Sequence, residues 1–500
     1  MPSRHVGDVE RSIEKLLDFD QRIVVNRKRS QYGMSLVTRS RLIASDSDVP
    51  EGLGYEQLRF CAIRLEIPAN ATLQPALLHS ALLPREVDMK RIVLVLLLLL
   101  GSVPALSQAA SSNSKPRVRA ITAFVRLDRT NFHKQIEDAV VVLRQVESQF
   151  RTLGYDVQTV RITTQPVAEL VSGLSEDQAL AFLKTFDDLS VEEKFAANIG
   201  PASLHDSDDP ATMHLLERVL STLPNLNASA IIADEGGIHW EAIRRSAELV
   251  KYVSENSPRG QGNFNFAVTA MLKPYTPFYP GSYHEGDGRQ FAIGFETANV
   301  VHSVFAQDKG NVEAAIADLT AALTVHAQAA DSIGSKVASA TGWSYLGLDP
   351  TATALGDVSI AGAIEAFTGA RFGSSGTLTA ARIITTAEKA VQVKQVGYSG
   401  LMLPVMEDKL LAQRWAQSTY NVDSLLAYSA VCATGLDTVP LPGNTSVEQV
   451  ERIFGDIASL AYKWNKPLAG RLLVVKGKKE GDQTNFQSPY LFNTTLHPLP

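Results

Sequence analysis

The chain has 500 residues, 45% apolar and 20% charged, enough to bury a sizeable core in one large domain or two ordinary ones. Its net charge of -6 comes from interspersed signs with no basic stripe, which excludes the electrostatic footprint of a nucleic-acid binder. Two cysteines, Cys61 and Cys432, without metal-ligand spacing, exclude a disulfide framework and a cysteine zinc site.

Residues 1–88 mix charges with turn residues and hold one short helical pattern, roughly Val9 to Leu17, so a weakly ordered extension is expected. At Met89 the character changes. Lys90 and Arg91 precede the aliphatic run Ile92–Leu100, followed by GSVPALSQAA with small residues at Ser107 and Ala109. This order predicts a secretory signal over 89–109, and hence an exported protein, secreted or periplasmic. A helix that spans lipid needs about 20 apolar residues, and Gly101 and Pro104 interrupt this run. If residues 92–106 stay uncleaved, the same segment becomes a membrane anchor. A signal here requires translation from Met89, which would make residues 1–88 a gene-model artefact.

From Arg117 the pattern is that of an α/β protein. RVRAITAFVRL predicts a strand, and Phe132, Ile136, Val140, Leu143, Val146 and Phe150 then recur at helical spacing until Gly154. Tyr155 to Thr163 predicts the next strand, so a crossover unit with parallel pairing is expected. Ser175-Glu-Asp-Gln178 and Ser190-Val-Glu-Glu193 are capping-box starts. Ala230–Ala233, Asn263–Met271, Gln290–Glu296, Gln392–Val396 and Arg471–Val475 predict further strands. Asn311–Ile333 predicts a long helix, Gly347–Gly356 a turn-rich segment, and Ser446-Val-Glu-Gln449 the cap of a helix to Asn465. Pro274, Pro277 and Pro280 force an extended loop that delivers Tyr283-His284-Glu285-Gly286. Between Gly397 and Gly443, two glycine- and proline-punctuated loops, GYSGLMLPVMED and CATGLDTVPLPG, flank a helical stretch; loops so built carry sites.

These segments carry a resemblance. From about Arg117 to Leu491, YDVQTVRI, NFNFAVTAMLKPYTPFYPGSYHEG, FAIGFETA, GYSGLMLPVMED, YSAVCATGLDTVPLPG, NKPLAGRL and GKKEGDQTNFQSPYL occur in an order that resembles the uncharacterised family known as domain of unknown function 711. That family is similar in fold to pyruvate formate-lyase and its glycyl-radical relatives, whose strands close into a barrel around a loop bearing a reactive cysteine. The resemblance implies one α/β barrel-like domain over 117–491, with surrounding helices. It does not imply the reaction, since one fold hosts many chemistries. The radical relatives carry an arginine-valine-x-glycine-aromatic site near the C-terminus, where this chain reads AGRLLVVKGKKEGDQTNF. Gly470 and Gly477 lack that setting, so a glycyl radical is not expected, and the cofactor is left unassigned.

Candidate chemistry follows from residue type and loop position. A Cys432 thiolate could attack an acyl carbon with His284 as base; the alternative is a buried cysteine acting as a small hydrophobe. His284 and Glu285 are an acid–base candidate pair, and Asp437, in the loop beside Cys432, could orient a histidine or a substrate. Asp234, Glu235 and His239 are candidate metal ligands; the alternative is that Asp-Glu-Gly-Gly is a turn that caps the helix from Ile238. Tyr283, Tyr398, Glu407, Lys478 and Asp482 are ligand-binding candidates on the matching loops. Together they point to an enzyme acting on a small polar or acidic metabolite in a barrel-mouth pocket, or to an exported small-molecule-binding protein using the same pocket.

Overall fold

The computed structural model describes residues 115–499 apart from 280, 355, 432 and 433. The expected extension over 1–88, the signal or anchor over 89–109, and Cys432 lie outside the described residues.

The first crossover forms as its periodicity predicts. Strand β1 (Arg117–Val125) leads into the helix Phe132–Thr152, which returns to β2 (Val160–Thr163), with Ile121 opposite Val160 in a parallel ladder. Phe132, Ile136, Leu143, Val146 and Phe150 form the helix's buried stripe. Fully burying such side chains stabilises by about 1.5–3 kcal/mol each. The pattern repeats through β3 (Ala196–Asn198), β4 (Leu226–Asp234) and β6 (Phe266–Ala270), with β5 (Gly237–Ile238) folding back on the end of β4. β1, β2, β3, β4 and β6 are therefore five parallel neighbours.

The second half runs the other way. β7 (Arg289–Glu296) pairs antiparallel with β1, and β8 (Ser344–Asp349) lies parallel to β7. At the far side β10 (Leu468–Val475) pairs antiparallel with β6, and β9 (Gly435–Pro442) lies parallel to β10. The segment 395–404 joins these flanks. It makes parallel bridges to β8 and its continuation at Leu348↔Gln395 and Ala352↔Leu401, and to β9 at Pro404↔Asp437. Two five-stranded parallel halves, antiparallel to each other, thus close into the expected α/β barrel-like architecture, and closure removes exposed sheet edges.

Alternation along the strands separates two cores. In β7, Phe291, Ile293 and Phe295 join the large core beneath the helices, whereas Gly294 faces Phe278 of the 271–285 loop. That loop connects the two halves and runs inside the barrel. Thr122 of β1 donates to the Pro277 carbonyl at 2.7 Å, Thr163 of β2 meets Ser282 at 3.0 Å, and the His284 amide donates to the Thr164 carbonyl at 2.9 Å. A small inner core of Leu272, Phe278, Tyr398, Met402 and Ala469 surrounds it.

Several local expectations are corrected. Ser190 does not start a helix: it lies within Glu176–Glu192, its hydroxyl donating to the Asp187 carbonyl, because the Ser175 capping box upstream already opens that helix. GLDTVPLP is strand β9 rather than loop; as the last strand of the regular ladder it tolerates Pro440 and Pro442, which lack amide donors. The expected turn-rich Gly347–Gly356 begins inside β8, where Gly347 has φ 131° and packs against the Lys394 carbonyl. Gln392–Val396 contributes a single bridge in place of a strand.

Candidate functional site

A cavity of about 690 Å³ opens at the mouth formed by the N-terminal ends of the first-half strands. Arg119 and Arg161 reach it from β1 and β2, Arg471 from β10, Glu407 from the segment after the barrel closure, and Tyr279 from the inserted loop. The β1 ladder with β7 is irregular between Val118 and Ala120, and this bulge re-aims Arg119 toward the interior.

Four arginines line this cavity, Arg119, Arg161, Arg259 and Arg471, and two of them, Arg119 and Arg471, pair with the carboxylates of Glu296, Glu407 and Asp437. Arg119 donates to Glu407 Oε2 at 2.9 Å and lies 3.4 Å from Glu296 Oε2. Arg471 donates through Nε to Asp437 Oδ1 at 2.7 Å and through Nη2 to Glu407 Oε1. Its guanidinium also lies over the Phe264 and Tyr279 rings, at 4.7 and 5.5 Å from their centroids. Burial pushes the Asp437 and Glu296 carboxyls upward against the pull of these arginines, whereas Asp437 and Glu407 hold the Arg471 guanidinium protonated.

Arg161 differs from both. It is 8% exposed and donates through Nε to Thr159 Oγ1 at 3.0 Å, with no carboxylate in ion-pairing range among the described residues. Burial, reinforced by the neighbouring positive charge of Arg119, pulls it down to about 9. In the same cavity lining, the buried Tyr279 hydroxyl and Asn198 Oδ1 have no hydrogen-bond partner among the described residues. Burial drives the Tyr279 phenol far upward, so it stays a neutral donor. The site can therefore neutralise an anion through Arg161 and donate to it from the phenol O–H, while Asn198 Oδ1 offers an acceptor for a hydroxyl or amine of the same ligand.

The sequence candidates divide between two ends of the barrel. Glu407 and Asp437 are brought together through Arg471 at the arginine cavity. Tyr398 is buried in the inner core, its amide donating to Asp349 at 2.8 Å. Tyr283, His284 and Glu285 lie at the C-terminal end of the first-half strands. His284 is fully buried, with Nε2 3.1 Å from Gln290 Oε1, and burial disfavours its protonation. Burial, with the charges of Glu285 and Asp234, raises the Tyr283 phenol, whereas Glu285 is exposed. Lys478 and Asp482 sit on the turn after β10, where Asp482 accepts from the Lys479 amide at 2.9 Å; neither lines the cavity. Among the metal candidates, Asp234 and His239 are adjacent, and Glu235 turns away into an exposed pair with Lys273.

Sequence reasoning passed over Arg119, Arg161, Arg471, Asn198 and Tyr279. The available signal was an arginine inside an apolar strand, as in VRIT and LAGRLLVV, since arginine is seldom buried without a partner or a role. The inserted loop also departs from the fold resemblance: residues 271–288 contain no cysteine, and the loop presents Tyr279 to the cavity.

The fold and sequence together define a member of an uncharacterised α/β family. The chain belongs to the family described as Uncharacterised ACR (DUF711), whose model matches residues 111–487. It is 30% identical to a UPF0210 protein of Pyrobaculum aerophilum, across 67% of this chain and 78% of that protein. A UPF0210 protein of Methanopyrus kandleri is 28% identical across 69% and 80%, and one of Oenococcus oeni 27% identical across 71% and 82%. Among solved structures, the anaerobic ribonucleotide reductase of Thermotoga maritima with dATP bound in the specificity site aligns with TM-score 0.32 at 8% identity, covering 71% of this chain and 75% of that one.

Proposed function

We propose that this protein takes a small anionic metabolite, carrying a carboxylate or phosphate, into the arginine-lined cavity and acts on it there. The observation that supports this is Arg161, a buried cation with no carboxylate in ion-pairing range among the described residues, in a cavity of ligand size. Arg161 anchors the anion, Arg119 and Arg471 surround it while being held by Glu407 and Asp437, and the Tyr279 hydroxyl donates to a second oxygen of the ligand. An enzyme is favoured over a passive binder by the Tyr279 phenol, without a hydrogen-bond partner among the described residues and able to polarise a bound carbonyl or phosphoryl oxygen.

The test is calorimetric titration of inorganic phosphate and citrate, with glycerol as neutral control, into wild type and Arg161→Gln. A charge-assisted hydrogen bond contributes about 1.5–3 kcal/mol, so anion affinity should fall about tenfold or more in the variant. Removing a strained charge should leave unfolding stability unchanged or raise it by on the order of 1 kcal/mol. Equal binding by both proteins, or no preference for anions over glycerol, would refute the reading.

Export remains part of the proposal, supported by the order of charge, aliphatic run and small residues over Met89–Ala109. N-terminal sequencing of the mature protein should begin near Ala110; an intact N-terminus on the cytosolic product argues against it.

A further inference from the structure

The C-terminal end of the first-half strands carries a second constellation. Asp234 is the last residue of β4, and Asn227 near the start of that strand lines the arginine cavity, so seven residues separate them, about 23 Å at 3.3 Å per residue. His205 Nδ1 lies 3.5 Å from Asp234 Oδ2, and His239 Nε2 lies 3.3 Å from Asp234 Oδ1. The ligand atoms of all three residues fall within 4.8 Å of one another. We infer that His205, Asp234 and His239 form a binding site for a divalent first-row transition ion, held by two imidazoles and one carboxylate with the remaining positions open.

Three observations carry this. First, His239 Nδ1 lies 3.3 Å from the Ile231 carbonyl. In the neutral tautomer that donates to that carbonyl, the Nε2 lone pair is aimed at the Asp234 carboxylate, so two acceptors face each other. A cation between them resolves the conflict, and a histidine fixed through its other nitrogen is the usual outer support of a metal ligand. Second, the site is built rigidly from three separate stretches. Asp208 Oδ2 accepts from the Leu204 and His205 amides at 2.6 and 3.0 Å, fixing the His205 turn. Asp206 Oδ1 accepts from the Glu241 and Ala242 amides at 3.0 and 3.1 Å, pinning that turn to the helix Trp240–Asn256, whose N-cap is His239. Asp234 Oδ1 accepts from the Gly236 amide at 2.7 Å, which orients the carboxylate. Third, burial is graded: the His239 side chain is 10% exposed and that of His205 60%. A metal would be anchored on the protein side and open toward solvent, as in sites that keep water or a substrate oxygen as a further ligand. Two nitrogen donors with one carboxylate favour zinc, cobalt, iron or manganese over calcium or magnesium.

The experiment uses the full chain, stripped with chelator and titrated with zinc against a competing dye, and separately with cobalt, whose visible d–d bands report nitrogen ligation. Wild type is expected to take up one zinc per chain. His205→Ala, safe for folding because the side chain is exposed, and Asp234→Asn should each weaken zinc binding on the order of 100-fold and remove the cobalt bands. Glu235→Gln, one residue from Asp234 but outside the cluster, should bind as wild type. Failure of wild type to bind zinc or cobalt at micromolar concentration would overturn the inference, leaving a proton-held histidine–aspartate network. Undiminished binding in His205→Ala and Asp234→Asn would overturn it too, by placing the ion elsewhere.

Discussion

Arg161 and Asp349 are both charged side chains taken out of water, and they are treated differently. Asp349 is fully buried, yet Oδ1 accepts from the Thr351 amide and hydroxyl and the Ser399 amide, and Oδ2 accepts from the Tyr398 amide. These bonds favour the carboxylate, but burial outweighs them and lifts the group to about 6, from an ordinary value of 3.8. A raised folded-state value means that the folded protein keeps a proton that the unfolded chain releases between about pH 4 and 6. The Asp349 contribution is therefore fully present below about pH 4 and is lost as pH rises through 6, by about 3 kcal/mol for a shift of about two units. Urea unfolding from pH 4 to 7 should show the stability advantage of wild type over Asp349→Asn shrinking by that order. A pH-independent difference would mean that the carboxyl titrates normally. Arg161 has no such set of partners, which is why its replacement is expected to affect ligand binding and not folding.

At the scale of elements, the inserted loop depends on the wall giving way to it. Gly281 has φ 95°, and a Cβ there would lie 2.3 Å from Leu272 Cδ2 and 2.7 Å from Thr269 Cγ2. At Gly294 on β7, a Cβ would sit 3.0 Å from the Phe278 ring. Gly281→Ala should combine backbone strain with overpacking and cost about 2–4 kcal/mol in urea unfolding. Gly173→Ala, also at positive φ but with open space around it, should cost only about 1–2 kcal/mol. Equal losses would show that the loop is not tightly enclosed. The elements legible in the sequence were those with local signals: the first crossover, the capping boxes at Ser175 and Ser446, and β7 with its alternation. β8 and the closing segment 395–404 were not legible, because single bridges between distant stretches have no periodicity to read. The same holds for the site. Glu407, Asp437, Asp234 and His239 stood in turn-rich motifs and could be named, whereas Arg161 and His205 acquire meaning only once strands and loops far apart in sequence converge.

Across the whole molecule, the buried ion network links the two halves. Arg119 belongs to β1 of the first half, Asp437 and Arg471 to β9 and β10 of the second, and Glu407 follows the segment that closes the ring. Glu407 is 3% exposed and accepts from both arginines, one on each oxygen, so it balances charges from opposite sides of the barrel. Such a network is a weak source of net stability when complete, since desolvation offsets much of the attraction, but removing one partner strands the others. Glu407→Gln keeps the shape and one acceptor while deleting the charge, leaving Arg119 with the longer contact to Glu296 and Arg471 with Asp437. Unfolding stability should fall by about 3–5 kcal/mol. The freed positive charge should at the same time strengthen phosphate and citrate binding relative to wild type. Calorimetry on the folded variant separates the two effects: weaker stability with tighter anion binding is the expected pair, whereas unchanged stability would mean that water, not Glu407, compensates the arginines at the barrel mouth.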